Sequence, residues 1–125
     1  MTREQMRRHA EEWIAAWNRR DLPRVLADFA DEARFVSPTA AAVVGHPVVE
    51  GKAALERYWR AALERRQSLQ FRLDYALCDE LRNEMVVVYD RTIDGASWER
   101  ACEFMRFDAA DRQIAGEALY GARIV

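Results

Sequence analysis

The sequence predicts an α+β domain, with three N-terminal helices packed on one face of a curved, mixed or antiparallel sheet. Three observations predict it. Apolar residues recur at helical spacing through the first half, where Met6, Ala10, Trp13 and Trp17 are separated by four, three and four positions. From Leu69 onward apolar and polar residues alternate with period two, as half-buried strands require. Turn signals divide that second half at Asp94-Gly95 and at Asp108 to Arg112.

The elements follow in order. Thr2 with Gln5 has the form of a capping box, which starts the first helix. Arg7, Arg8, Glu11 and Glu12 lie off its apolar stripe, and His9 sits beside that charged, solvated face. Asp21 caps a second, short helix with Leu22, Val25, Leu26 and Phe29 on its buried side. Ala33 to Ser37 reads as a short strand stopped by Pro38. Residues 37–51 carry two prolines and two glycines and read as a long loop, with a short strand at Val48-Val49 at most. Gly51 opens a third helix, whose apolar face is Leu55, Tyr58, Trp59, Ala62 and Leu63. Four strands then form an antiparallel meander. In the first, Leu69, Phe71, Leu73, Tyr75 and Leu77 share a face, and the others run from Glu84 to Ile93, Ser97 to Phe107 and Gln113 to about Ile124.

Composition narrows the function. A chain of 125 residues fits a single domain spanning 1–125. Its 19 basic and 21 acidic residues give a net charge of −2, which argues against nucleic acid, since phosphate binding needs a basic excess. No apolar run approaches a membrane span and no signal-peptide stretch opens the chain, so a cytoplasmic protein without a membrane partner is expected. Cys78 and Cys102 make neither a disulfide framework nor a metal cluster. No Gly-rich phosphate loop or Ser-His-Asp set appears, and no cofactor or metal is expected.

Four segments carry a family resemblance. Trp13 to Asp21 (WIAAWNRRD), Phe29 to Phe35 (FADEARF), Gly51 to Trp59 (GKAALERYW) and Glu103 to Asp108 (EFMRFD), the last followed by Ile114 and Tyr120-Gly121, occur in the right order over nearly the whole chain. Together they resemble the nuclear transport factor 2-like, or SnoaL-like, superfamily, which includes ketosteroid isomerases, polyketide cyclases, scytalone dehydratases, limonene epoxide hydrolases and proteins that only bind. The resemblance implies a cone-shaped, cystatin-like roll enclosing a pocket, and a dimer joined through the convex sheet face. It does not fix the function.

Mapped onto the ketosteroid isomerases, the tyrosine of the oxyanion hole falls on Trp13, the aspartate base on Ser37 and the protonated acid on Glu103. Serine is no proton carrier near neutral pH without its own base, so that mechanism does not transfer intact. The resemblance also places Trp17, Trp59, Phe29, Phe35, Tyr89 and Tyr120 toward the pocket, with Trp13, Trp59 and Tyr120 at ligand-touching positions. Bulky indoles there shrink the cavity relative to a steroid site and suit a smaller or flatter apolar ligand.

Glu103 is the most informative residue. Its strand alternates Glu99, Ala101, Glu103, Met105 and Phe107 on one face against Trp98, Arg100, Cys102, Phe104 and Arg106, and the resemblance implies that the first set faces the pocket. A carboxyl between Ala101 and Met105 in an apolar cone has a raised pKa and serves as a general acid or base, unless it sits in a structural ion pair. On the neighbouring strand Met85, Val87, Tyr89 and Arg91 share the pocket side, so Arg91 and Tyr89 are candidates to reach Glu103, while Asp90 points away. His46, between Gly45 and Pro47, is a natural proton carrier if its loop borders the pocket, and otherwise a turn residue. Trp98, Cys102 and Phe104 form an apolar outer face, which marks a homodimer interface.

The expected function is cofactor-free isomerase, lyase or hydrolase chemistry on a small apolar organic ligand. In it Glu103, Arg91 and Tyr89 are catalytic, and Trp13, Trp17, Ser37, His46, Trp59, Met105 and Tyr120 bind the ligand. The alternatives are a binding module without catalysis and a structural dimer whose tryptophans fill their own cavity.

Overall fold

The structure is a computed structural model that describes residues 1–123 of the chain. Its order is α1 (Arg3–Asn18), α2 (Leu22–Ala27), β1 (Phe29–Val36), α3 (Pro38–Val44), β2 (Val48–Glu50), α4 (Lys52–Glu64), β3 (Leu69–Asp79), β4 (Glu84–Ile93), β5 (Glu99–Phe107) and β6 (Gln113–Arg123). Both bonds of the capping box at Thr2 form: Gln5 N–H donates to Thr2 Oγ1 (3.1 Å), and Thr2 N–H donates to Gln5 Oε1 (2.8 Å). Such a cap is worth about 1 kcal/mol. It fixes the phase at which α1 presents Met6, Ala10, Trp13 and Trp17, all buried, to the sheet. Asp21 caps α2 by accepting from Arg24 N–H at 3.2 Å.

Within the expected loop over 37–51, residues Pro38–Val44 form a helix ahead of the short strand expected at Val48-Val49, so the described residues hold four helices rather than three. Ser37 caps α3, with its Oγ accepting from Thr39 N–H (3.1 Å). Pro38 in the first turn supplies a φ already set for a helix. Gly45, at φ 81°, ends the helix in the left-handed conformation that a side chain disfavours. The prolines and glycines that suggest a loop are helix-boundary residues. Short β2 pairs antiparallel with β1, Phe35 lying opposite Val49.

The six strands form one sheet in the order β2-β1-β6-β5-β4-β3. β1 and β6 run parallel, and the other neighbours are antiparallel. The meander β3 to β6 is present, and Ile124, the expected end of its last strand, lies outside the described residues. Its central hairpin turns at Asp94-Gly95 with φ 52° and 74°, as a type I′ turn requires. One face of β3 departs from simple alternation. A bulge between Leu73 and Tyr75 inserts an extra residue, which reverses the faces beyond it. Phe71 is therefore buried and Leu73 half-buried, while Tyr75 and Leu77 turn outward.

The helices cover the concave face. There Met85, Val87 and Tyr89 of β4 and Ala101, Glu103, Met105 and Phe107 of β5 are all buried. On the outer face Asp90 is only 7% exposed, between Arg72 (2.9 Å) and Arg100 (3.0 Å). Burial alone would raise its pKa, but the hydrogen bonds from both arginines outweigh that and hold it below the usual carboxylate range. His9 is not solvated. Its ring stands edge-on to Phe107 at 5.0 Å, with Nδ1 3.7 Å from Asp28, and burial lowers its pKa against the opposing pull of Asp28.

Gly116 of β6 sits between Phe35 of β1 and Met105 of β5. A Cβ at this position would lie 2.9 Å from the Phe35 ring, so glycine is needed for the close approach that sets Phe35 against the cavity.

Candidate functional site

The concave face and the helices enclose a cavity of about 80 Å³. Its walls are an interlocked set of aromatic rings. From α1, Trp13 meets Tyr89 edge-on (5.3 Å between centroids) and Trp17 meets Trp59 of α4 edge-on (5.4 Å). Phe71 lies against Tyr89 at 4.9 Å, and Phe35 against Trp59 at 5.2 Å. Edge-to-face contacts of this kind add about 0.5–1.5 kcal/mol each beyond burial, and together they make the walls stiff. An engineered cavity of about 150 Å³ takes a benzene ring. This one is about half that size and open at its mouth, so a single ring enters it only in part and a large fused-ring ligand does not fit inside it.

Into this apolar chamber the sheet projects one carboxyl. Glu103 is 4% exposed and makes neither a hydrogen bond nor an ion pair with the described residues. Burial pushes its pKa up to about 8, and the positive charge of Arg91 offsets only part of that shift. Glu103 is therefore mostly neutral at pH 7.

The register explains why Arg91 does not neutralise it. Across β4 and β5, Val87 faces Glu103, Tyr89 faces Ala101 and Arg91 faces Glu99. Directly opposite residues meet most closely in an antiparallel pair. Arg91 Nε accordingly donates to Glu99 Oε1 at 2.7 Å, and its guanidinium lies 3.7 Å over the Tyr120 ring. The sequence pairing of Arg91 with Glu103 is replaced by Arg91 with Glu99. Tyr89 is raised well above its ordinary phenol value, first by burial and then by the nearby Glu103 carboxyl.

Opposite the aromatic wall lies a small polar cluster. Tyr58 of α4 donates to Ser37 Oγ (3.3 Å), and the Thr39 and Tyr120 hydroxyls are 2.9 Å apart. Burial raises the Tyr58 phenol. Ser37 thus has a structural task, capping α3 while accepting from Tyr58. The remaining donors are unused: the indole N–H groups of Trp13 and Trp17 are buried at the cavity without an acceptor among the described residues. A buried donor without a partner is costly, and neither indole nitrogen is open to the cavity. Among the described residues no cluster of His, Cys, Asp and Glu has metal-holding geometry.

A SnoaL-like domain profile matches residues 10–117. The chain belongs to the SnoaL-like domain family. Among solved structures, this SnoaL-like protein is similar to a SnoaL-like protein of unknown function from Burkholderia thailandensis, with 26% identity, 98% of this chain and 99% of that one covered, and a TM-score of 0.83. It is similar in fold to a protein with a cystatin-like fold from Methylobium petroleophilum, at 22% identity, 100% and 81% coverage and a TM-score of 0.78. It also shares the fold of TerC co-crystallised with polyporic acid, at 13% identity, 90% and 88% coverage and a TM-score of 0.75. No curated protein matches the chain.

Of the residues picked out in the sequence, this SnoaL-like chain brings Glu103, Arg91, Tyr89, Trp13, Trp17, Ser37, Trp59 and Tyr120 to one cavity. His46 and Met105 are not among its walls. His46 is exposed in the turn between α3 and β2, beside Pro47, whose carbonyl accepts the Ser37 N–H at 2.9 Å. Met105 is buried opposite Met85, two register pairs from Glu103. Sequence reasoning missed Tyr58, Thr39, Phe71 and Arg66, which also line the site. The signal for Tyr58 was available: a phenol on a buried helix face wants a hydrogen-bond partner.

The raised pKa of Glu103 has a stability consequence. Between its unfolded value and about 8 the folded state holds one more proton than the unfolded state, so stability falls as pH rises through that window and then levels off. Glu103→Gln lacks this loss. Its stability relative to wild type should grow by about 1.4 kcal/mol per pH unit over the window, read from denaturant unfolding across pH. A difference that does not change with pH would show that Glu103 ionises normally.

Proposed function

We propose that this protein binds a small, flat, largely apolar organic molecule through an oxygen, and that Glu103 performs cofactor-free acid–base chemistry on it, as an isomerase, lyase or hydrolase. The observation that carries the reading is the unpaired carboxyl alone in an aromatic cavity. In its neutral form Glu103 donates a hydrogen bond or a proton to the ligand oxygen. Tyr89 stays a neutral phenol and adds another. Arg91, bonded to Glu99, offsets part of the burial shift on the carboxyl without binding it. TerC, of the same fold, was co-crystallised with an organic acid, which supports an organic ligand here.

A second reading, ligand binding without turnover, is favoured by Ser37. The position that would hold the isomerase base is a serine committed to a helix cap and to Tyr58. The two readings separate on Glu103→Gln. A thermal-shift screen of small ketones, epoxides, phenols and quinones identifies a binder, since one that saturates well above its Kd stabilises the fold by a few kcal/mol. Turnover of that binder should then fall by about 10²–10⁴-fold in Glu103→Gln, and kcat/KM of the wild type should decline above about pH 8 as the acid form is lost. Binding that persists with no turnover in either protein would leave the binding module. Turnover unchanged by the substitution would remove Glu103 from the chemistry.

We further propose a homodimer through the outer sheet face. Phe104 is 43% exposed, with Cys102 beside it in β5 and Trp98 just before that strand, under Arg72 (4.3 Å from ring centroid). The register extends the patch in two rows, Tyr75–Val88–Cys102–Leu119 and Leu77–Val86–Phe104. Apolar rows of this extent on a solvated sheet favour burial against a second copy. Sedimentation equilibrium should give a dimer for wild type and a monomer for Phe104→Glu with Leu77→Glu. A wild-type monomer at micromolar concentration would remove the proposal.

A further inference from the structure

The aromatic chamber leads outward past Arg66, Arg91 and Ile93, and these three side chains also form the inner wall of a second, larger hollow of about 310 Å³. Arg123 at the end of β6, together with Asp94 and Glu99, supplies the charged part of its outer wall. The charges there do not cancel. Glu99 is engaged by Arg91 at 2.7 Å. Asp94 Oδ1 accepts the backbone N–H groups of Gln67 and Ser68 at 2.7 and 2.9 Å. Arg66 acts on Asp94 only through its field, lowering the Asp94 pKa after the hydrogen bond from Ser68 has done so. Neither Arg66 nor Arg123 makes an ion pair among the described residues, and both are exposed. The hollow thus carries three guanidinium groups against two carboxylates. On a chain whose net charge is −2, a basic mouth of this kind concentrates anions at the entrance.

We propose that this vestibule is the anion subsite of the ligand. A flat ring enters the aromatic chamber, and a carboxylate on a short arm remains outside at Arg66 and Arg123. The size of the inner cavity, about 80 Å³, supports the division, because it takes a ring only in part and the rest of the ligand must extend through the mouth. Guanidinium groups suit a carboxylate because their paired donors match its two oxygens. The side chain of Arg91 is already neutralised by Glu99, so the recruiting charge comes from Arg66 and Arg123. The proposal rests on the reading that the chamber binds a small apolar ring, and it narrows that ligand to an aromatic or similarly flat acid.

The test uses three ligands of one shape: 3-phenylpropionate, its neutral amide, and 3-phenylpropylamine. Calorimetric titration at low salt should show the carboxylate binding about fivefold to tenfold more tightly than the amide, and the amine more weakly than either. High salt should close the gap, because these charges are exposed. Arg66→Gln with Arg123→Gln should bring the carboxylate-to-amide ratio close to one, while Arg66→Lys should keep most of it. Amide and carboxylate binding equally in wild type, or a gap that survives the double substitution, would overturn the anion subsite and leave the chamber reading standing. Failure of all three ligands to bind would overturn both.

Discussion

The ion pair between Arg91 and Glu99 determines what the rest of the site can do. Antiparallel register sets these two side chains opposite each other and places Val87, not Arg91, opposite Glu103. The cation nearest the carboxyl is thereby engaged by another partner at 2.7 Å. Had Arg91 paired with Glu103, the carboxyl would be ionised and structural. Its pairing with Glu99 leaves a buried acid without a counter-charge. A shift from the ordinary value to about 8 corresponds to roughly 4–5 kcal/mol of disfavoured ionisation, a large fraction of a small domain's stability. Strongly shifted groups of this kind are enriched at functional sites.

The aromatic shell sustains that cost. Trp13, Trp17 and Trp59 come from two helices whose phases are set by a capping box and by the backbone at Gly51. Their rings, with Phe35, Phe71 and Tyr89, keep the chamber narrow and low in polarity. A flexible or wet pocket would hydrate the carboxyl and restore its ordinary pKa. Gly116 contributes at a distance, since it lets Phe35 pack against β6. The polarity of the site increases outward: an uncharged acid inside, hydroxyl groups at the side, guanidinium groups at the mouth.

Much of this was legible in the sequence. The helix stripe, the capping box and the period-two strands put Trp13, Tyr89, Arg91 and Glu103 on defined faces, because each signal is local and repeats several times, and the family resemblance turned those faces toward the cavity. What was not legible depended on single residues. Asp74, the extra residue of a bulge, reverses the faces of β3, and no periodicity announces one inserted position. Pro38 and Gly45 serve equally as loop residues or as the first and last residues of a helix. The choice went wrong for α3, and with it the position of His46. The pairing of Arg91 depended on cross-strand register, which the faces alone leave open by two residues.

The ionisation of Glu103 is the most direct point at which to test this picture. Carbon-detected NMR of the glutamate side-chain carboxyls, titrated across pH and assigned by the signal missing in Glu103→Gln, reads it without any ligand. A single carboxyl with its midpoint near 8 is expected, far from the other glutamates. A midpoint in the ordinary glutamate range, about 4–5, would show that the carboxyl is hydrated or paired, and would contradict the role assigned to it.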